Sequence, residues 1–266
     1  MFDKIKSHAK INLALNIIGK SKSLHKIESI IAFVELHDEI YIRQINKQNH
    51  QISFFGKFSK NINSKNTISE LLKILDNRNL LKKKFQIKIN KKIPLKSGLG
   101  GGSMNAASIL KYFLKKRLIK ISKKQVLKIS KSIGEDVILG LNSSYLILNS
   151  KNEVKLFKGC KNFFTLIIKP NFGCSTKEIY ARVRKFERSK LNKPIKKMLN
   201  YKFLNKMHNS LEPIALLKYP KLKKLKSFLE DLSKPLFVRM TGSGSALVAY
   251  FHTKKDCDKS MTQFKK

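Results

Sequence analysis

Apolar and polar residues alternate along much of the N-terminal half of the chain, which is the period of a half-buried β-strand. Between these stretches the apolar positions recur every three to four residues, which is typical of a helix with one buried face. The alternating pattern predicts strands at residues 10–18, 27–36, 39–45, 51–55 and 85–90. The helical spacing predicts helices over residues 66–81, 103–116 and 123–132.

The C-terminal half has the same two patterns in a different order. Apolar runs predict strands at residues 145–148, 163–168, 237–240 and 246–251, and the last two strands are separated by a loop of small residues, TGSGS. Helical spacing predicts helices over residues 176–186, 203–217 and 220–232. This mixture indicates an α+β protein in two parts, with the join near residue 150. We therefore expect domains at residues 1–150 and 151–266.

Composition narrows the function classes only partly. With 42% hydrophobic residues in 266, the chain can bury a core in spite of a formal net charge of +40. Seven of the 57 basic residues are arginine, so the excess is almost all lysine, spread along the chain. Because nucleic-acid recognition relies on the bidentate guanidinium group, this pattern favours a compositional bias and predicts no specific nucleic-acid partner. A basic RNA-binding protein remains the alternative.

Neither the cysteines nor the N terminus indicates export. The three cysteines have no CxxC spacing, which is typical of a reducing cytoplasm. The first apolar stretch, residues 11–18, is interrupted by Asn12 and Asn16 and is too short and polar for a signal peptide. No run is long enough to cross a bilayer, so we expect a cytoplasmic protein without a membrane partner.

A glycine-rich loop carries the clearest chemical signal. Residues 94–110 read PLKSGLGGGSMNAASIL, and this stretch holds four of the twelve glycines of the chain. It connects a predicted strand to a predicted helix, so its backbone N–H groups and the helix N terminus could cradle a phosphate group. A ligand-free turn is the alternative. The loop lacks the lysine of a Walker A motif and the last glycine of a dinucleotide-binding fingerprint.

The loop resembles the second conserved motif of the GHMP kinases. Further segments match this family in its own order, namely AKINL at residues 9–13, GEDVI at 134–138, CSTKEIYARV at 174–183, HNSLEPIA at 208–215 and TGSGS at 241–245. The resemblance covers nearly the whole chain. It implies the two-domain fold of the family, with a ribosomal-protein-like N-terminal domain, an α/β-sandwich C-terminal domain and an active site in the cleft between them.

The resemblance also implies a reaction, which is the transfer of the γ-phosphoryl group from ATP, with Mg²⁺, to an alcohol. The motifs are most similar to those of the family branch that phosphorylates the 2-hydroxyl of a cytidine diphosphate methylerythritol in isoprenoid precursor synthesis. Homoserine- and mevalonate-type kinases are the alternatives within the family. We expect a monomer or a weak homodimer. The segment FHTKKDCDKSMTQFKK, residues 251–266, is predicted to begin a last helix, and the family continues past that helix with a further strand. This chain is therefore expected to be either a shortened form or an incomplete one.

Site residues follow from the motif positions. By resemblance, Lys10 activates and orients the hydroxyl group and Asp136 is the base, although the residues alone do not exclude Glu135. Asn12 and His25 hold the substrate, and Leu24 stands where the family has a tyrosine that stacks on the base. The ATP-binding loop comprises Pro94, Leu95, Lys96, Ser97, Gly98, Leu99, Gly100, Gly101, Gly102, Ser103 and Met104, and Ser103 is a candidate Mg²⁺ ligand. The loop that closes the substrate pocket contains Gly242, Ser243 and Gly244.

At three of these positions, an ordinary structural role is the alternative to a functional one. Lys10 would be a solvated surface charge in a chain so rich in lysine. Asp136 would be a helix cap, and His25 an ordinary polar loop residue. In favour of Lys10, the alternation over residues 10–16 places it on one strand face with Asn12, Ala14 and Asn16, opposite the apolar face.

Overall fold

A computed structural model of the chain describes residues 1–21, 24–142 and 144–265. The chain divides into two compact units, each assembled from segments that are distant in the sequence. The first unit consists of Met1–Lys10, Phe33–Leu95 and Gly100–Ser143. The second unit consists of Ile11–Ala32, Lys96–Leu99 and Ser144–Lys266.

Two long strands begin the fold and contribute to both units. Strand β1 spans Asp3–Ser21 and pairs with strand β2, which spans Leu24–Ile45. The sequence predicts two strands, 27–36 and 39–45, where the structure has the single strand β2. The polar residues between them do not end the strand, because Asp38 is fully buried and its carboxylate accepts hydrogen bonds from neighbouring backbone.

The first unit places four helices against a small sheet. Strand β3 (Gln51–Phe55) pairs parallel with β4 (Lys84–Asn90), and β4 pairs antiparallel with residues 39–45 of β2. The helices are α1 (Thr67–Asn77), α2 (Gly101–Lys115), α3 (Lys123–Ile133) and α4 (Glu135–Gly140). The core lies between sheet and helices, where Phe85 of β4 packs on Phe113 of α2 with ring centroids 5.0 Å apart.

Local sequence signals account for the helices of the first unit. Helix α1 buries Ile68, Leu71, Leu72 and Leu75 on one face, as their spacing predicts. Asn66 caps its N terminus by accepting from two backbone N–H groups of the first turn. Helix α4 is too short for a periodic pattern, and the sequence predicts no helix there.

The remaining strands of the second unit form two groups. Strand β5 (Tyr145–Leu148) pairs with residues 29–31 of β2 and with β6 (Val154–Phe157), a strand that the sequence does not predict. The other three strands form an antiparallel sheet in the order β7 (Phe164–Ile168), β9 (Leu247–Phe251) and β8 (Phe237–Met240). Strand β9 is the central strand, and all five of its residues are buried.

The helices of the second unit are mostly short. They are α5 (Thr176–Ala181), α6 (Tyr201–Asn205), α7 (Glu212–Lys218), α8 (Pro220–Glu230) and α9 (Lys254–Lys265), with a 3₁₀ turn at Lys196–Leu199. Their apolar side chains and those of the sheet form one core with residues 15 and 17 of β1. Within residues 1–21, 24–142 and 144–265, no helix has the length and apolar character needed to cross a bilayer.

One predicted helix, residues 203–217, is wrong as a continuous element. The structure has α6 and α7 there, separated by an extended stretch. In that stretch, the His208 carbonyl accepts from the Leu15 N–H at 3.0 Å, and the Ser210 N–H donates to the Leu15 carbonyl at 2.8 Å. Pairing with β1 therefore replaces the hydrogen bonds that a helix would make within itself.

Candidate functional site

Helix α2 begins at the glycine loop with an uncapped end. Gly100 adopts a left-handed conformation with φ +70° at the N-cap position, and no side chain caps the helix. A β-carbon on Gly100 would lie 2.9 Å from Cγ of Lys10, so a larger residue would displace the lysine. The first turn of α2 therefore presents unpartnered backbone N–H groups to a ligand, beside a cation, and this arrangement suits a phosphate group.

Lys10 lies at the start of this helix and pairs with the predicted base. Its side chain is 5% exposed, and its Nζ atom is 3.3 Å from Oδ2 of Asp136, in the first turn of α4. Asp136 is 39% exposed, so the carboxylate is accessible from outside. Glu135 is exposed and does not make this contact. Of the two acidic residues that the sequence leaves open, Asp136 is therefore the one in contact with Lys10.

Ser103 lies close to the same end of α4. Its Oγ atom would be 3.9 Å from a β-carbon placed on Gly134, the residue that precedes α4. Mg²⁺ in kinases is usually held by one or two protein oxygens and the substrate phosphates rather than by a full protein cage. The described residues contain no group of three or more His, Cys, Asp or Glu able to hold a metal ion. A serine hydroxyl and a carboxylate beside a phosphate cradle fit a phosphate-bound Mg²⁺.

A buried carboxylate, which no sequence pattern predicted, anchors the segment that leads into the glycine loop. Asp38 of β2 is fully buried and accepts hydrogen bonds from the Lys92 and Ile93 N–H groups, each at 2.8 Å. It also accepts from Nδ2 of Asn105 in α2 at 2.9 Å and pairs with the ammonium group of buried Lys91. One side chain thus ties the end of β4 to the beginning of α2. The sequence gives little signal for either residue, because Lys91 is one of 50 lysines and Asp38 lies between two predicted strands.

Residues 96–99 of the glycine loop belong to the second unit, and Ser97 and Gly98 pack against the TGSGS loop. Gly98 has φ +75°, and a β-carbon there would lie 2.0 Å from the Thr241 carbonyl oxygen. The Ser97 carbonyl accepts from the Ala246 N–H at 3.1 Å. No other residue type fits at position 98 without moving one of the two loops.

Asn12 connects β1 to the TGSGS loop. Its N–H donates to Oγ1 of Thr241 at 3.0 Å, and its Nδ2 donates to Oγ of Ser29 at 2.9 Å. Asn209, which the sequence analysis did not single out, donates to the carbonyls of Met240 and Gly242, each at 2.8 Å. These buried amides hold the first residues of the loop in place.

The tip of the TGSGS loop, Ser243 and Gly244, contacts residues at and just before the start of α5. The hydroxyl of Ser243 is 2.7 Å from that of Thr176, at the start of α5. A β-carbon on Gly244 would lie 3.0 Å from Sγ of Cys174. Burial raises the pKa of the Cys174 thiol to about 11, so this cysteine is a packing residue and not a nucleophile.

His25 contacts an aromatic ring that the sequence analysis passed over. Its ring centroid is 5.2 Å from that of Tyr180 in α5, with the planes tilted by 47°. Partial burial lowers the pKa of His25, which favours the neutral imidazole. Leu24 is exposed, and residues 22 and 23 lie outside the described residues. Tyr180 therefore supplies next to His25 an aromatic ring that position 24 lacks.

The other predicted loop residues differ in what their side chains can do. Leu99 and Met104 are buried, and Met104 packs towards Gly140, so these two could contact a nucleotide only through their backbone. Pro94 and Leu95 are half-buried. Lys96 is exposed with φ +50°, a left-handed conformation that is unusual for a residue with a side chain.

Comparison with known families and proteins identifies relatives over nearly the whole chain. Residues 66–146 match the family model described as the GHMP kinases N terminal domain, and residues 190–259 match the GHMP kinases C terminal model. The 4-diphosphocytidyl-2-C-methyl-D-erythritol kinase of Pelagibacter ubique is 56% identical over 99% of this chain and 94% of its own. The protein of the same name from Buchnera aphidicola is 34% identical over 95% of this chain and 86% of its own.

Solved structures show the same fold. A crystal structure of a 4-(cytidine 5'-diphospho)-2C-methyl-D-erythritol kinase matches with a TM-score of 0.78 at 20% identity, over 99% of this chain and 95% of that one. Homoserine kinase from Cytophaga hutchinsonii matches with a TM-score of 0.66 at 18% identity, over 98% and 90% of the two chains.

The Asp38 anchor can be tested by removing one or both charges of its buried pair. Asp38→Ala leaves the Lys91 ammonium buried without its partner, so we expect a loss of about 3–5 kcal/mol in the free energy of unfolding. The double variant Asp38→Asn with Lys91→Met removes both charges, keeps an acceptor for the Lys92 and Ile93 N–H groups, and should recover most of that loss. Urea denaturation of the wild type, the single variant and the double variant measures the free energy of unfolding. Equal destabilisation by the single and double variants would contradict a dominant role for the ion pair.

Proposed function

The chain belongs to the GHMP kinase family, and we propose that it phosphorylates the 2-hydroxyl of 4-diphosphocytidyl-2-C-methyl-D-erythritol with ATP as the donor. It is a small-molecule kinase, and the expected two-domain α+β fold of the family is confirmed. The observation that carries the choice of substrate is the 56% identity with a relative of that name over nearly the full length of both chains. Homoserine- and mevalonate-type activities are the weaker alternatives, and RNA binding is not needed to explain the glycine loop.

Asp136 is the proposed base. Its exposed carboxylate takes the proton of the substrate hydroxyl, the oxygen attacks the γ-phosphorus of ATP, and ADP leaves. The contact between Lys10 and Asp136 supports this role, because it places a cation beside the carboxylate that accepts the proton. Lys10 also orients the hydroxyl group and offsets negative charge that develops during transfer.

The glycine loop, residues 94–104, is the proposed ATP site. The uncapped start of α2 offers backbone N–H groups to the phosphates, and Gly100 allows close approach of a ligand to the backbone. Ser103 would hold Mg²⁺ together with the phosphates, and the ion would neutralise charge on the transferred group. The Asp38 network keeps the loop and α2 in register before ATP arrives.

Asn12, His25 and the loop of Gly242, Ser243 and Gly244 are the proposed substrate contacts. We add Tyr180 to this group, because its ring beside His25 provides a stacking surface for a nucleobase. A neutral His25 can both donate and accept a hydrogen bond at the edge of a base.

Other properties stay predictions. The domain division at residue 150, the cytoplasmic location, the monomer or weak homodimer and the lack of specific nucleic-acid or membrane partners derive from the sequence patterns. The lysine-rich surface should nevertheless attract anionic substrates at low ionic strength.

A kinase assay on the purified protein tests the proposed reaction. With ATP and Mg²⁺, we expect ADP formation that depends on 4-diphosphocytidyl-2-C-methyl-D-erythritol, with little activity on homoserine or mevalonate. Activity on one of those two alcohols and none on the cytidylyl substrate would overturn the choice of substrate. Phosphate transfer can be confirmed by mass spectrometry of the product.

Asp136→Asn should abolish turnover while leaving ATP binding nearly intact, because the amide keeps the shape of the carboxylate but cannot take a proton. General-base catalysis is worth about 10²–10⁴ in rate, so a fall in kcat of at least that order is expected. Steady-state kinetics and the Kd of a fluorescent ATP analogue are the two measurements. Glu135→Gln is the matched control and should keep near-normal turnover. Wild-type-like kcat in Asp136→Asn would remove the residue from the role of base.

Tyr180→Leu tests the proposed base-stacking surface. Loss of an aromatic stack costs about 1–3 kcal/mol, so KM for the cytidylyl substrate should rise by about 5- to 150-fold. KM for ATP should be unchanged. Tyr180→Phe keeps the ring and should behave like the wild type. If Tyr180→Leu leaves KM for the cytidylyl substrate unaltered, the base does not stack on this residue.

A further inference from the structure

A further cleft lies in the first unit, and neither Lys10 nor Asp136 is among its lining residues. It has a volume of about 260 Å³ and lies between strands β1 and β2 on one side and helices α2 and α4 on the other. This volume is somewhat below that of typical drug-binding pockets, so the cleft suits a small molecule. Its lining residues come from all four elements and are Lys6, His8, Phe33, Val34, Glu35, Met104, Ser108, Lys111, Gly140 and Asn142.

The cleft has an apolar wall and a cationic side. Phe33, Val34 and Met104 provide the apolar surface. Lys6 and His8 come from β1, two residues apart and therefore on the same strand face, and Lys111 faces the cleft from α2. An arrangement of this kind binds a ligand that has both an anionic and an apolar part.

Lys111 is the residue that points most clearly to an anion. It is half-buried, and burial alone lowers the pKa of its ammonium group, with no neighbouring carboxylate contributing. A partly desolvated cation is costly unless an anion compensates it. Glu35, which also lines the cleft, is exposed and makes no ion pair with Lys6 or Lys111 among the described residues. Among the described residues, this partly buried cation therefore has no ion-pair partner.

Polar groups around Lys111 complete the site. The Ser108 hydroxyl lies one helical turn before it on the same face of α2, and Asn142 follows the end of α4. His8 donates from Nδ1 to the Val34 carbonyl at 2.9 Å, which fixes the ring and leaves Nε2 for other partners. These are hydrogen-bonding groups of the type that surround bound phosphate esters.

We propose that this cleft binds a small phosphate ester with a short apolar group, as a second ligand site beside the proposed ATP and substrate sites. The phosphate group pairs with Lys111 and Lys6 and accepts from Ser108, while the apolar group packs on Phe33 and Val34. Of the residues assigned above to the proposed catalytic machinery, the cleft includes only Met104, whose side chain is buried.

Phenyl phosphate is a suitable probe, and isothermal titration calorimetry of the full-length protein measures its binding. The titration is done with a non-hydrolysable ATP analogue and Mg²⁺ at saturation, so that the glycine loop is already occupied. We expect phenyl phosphate to bind more tightly than either inorganic phosphate or phenol, since only the ester uses both sides of the cleft.

Variants then locate the binding. Lys111→Met keeps the length of the side chain and removes its charge, and should weaken phenyl phosphate by about tenfold or more. Ser108→Leu fills the cleft and should have a similar effect. Lys115→Met removes an exposed lysine from the same helix and is the matched control, which should bind like the wild type. Normal kinase turnover of Lys111→Met would show that this variant is folded.

Three results would overturn the proposal. The first is equal affinity of the wild type and Lys111→Met for phenyl phosphate. The second is an equal loss in Lys115→Met, which would indicate a general effect of surface charge. The third is the absence of binding once the ATP analogue saturates the protein, which would assign the phenyl phosphate to the glycine loop.

Discussion

The buried carboxylate of Asp38 is the constraint on which the geometry of the proposed phosphate site depends. It accepts hydrogen bonds from the backbone at the end of β4 and from Asn105 in α2, and it neutralises Lys91. A charged group without access to water must have all its partners in place, so the relative positions of β2, β4 and α2 have little freedom. The glycine loop leaves this anchored point, and α2 begins a few residues later. The position of the uncapped helix end is therefore decided before any ligand binds.

Lys10 is a second buried cation, and it lies beside the proposed base. The close approach of Gly100 to its side chain leaves no room for a β-carbon, and Asp136 of α4 supplies the neighbouring negative charge. Because Asp136 is partly exposed while Lys10 is not, the pair presents a carboxylate outward with an ammonium group behind it. This arrangement suits a base that must remain ionised until a hydroxyl group reaches it.

The large positive charge of the chain does not by itself indicate a function. The positions of a few buried cations are more informative. Most lysines are exposed. An exposed charge costs little free energy, so the number of such lysines can vary with the composition of the chain. Lys10, Lys91 and Arg239 are buried, and each has a defined partner; Arg239, for example, donates to the Leu204 carbonyl at 3.1 Å. Lys111 differs from these in being half-buried and in having no ion pair within the described part of the chain. Burial, which composition cannot reveal, separates the informative lysines from the rest.

The sequence by itself determined most of the elements, the family and the glycine loop, because periodicity and short motifs are local properties of the chain. Strand β3 and the buried face of α1 agree with the patterns that predict them. Only the tertiary structure decided that β2 continues through Asp38, that residues 208–210 pair with β1 instead of extending a helix, and that Asp136 rather than Glu135 meets Lys10. The same holds for Tyr180 beside His25. In each case the deciding contact joins residues far apart in the chain, where a buried polar group or a ring finds a partner that no local pattern specifies.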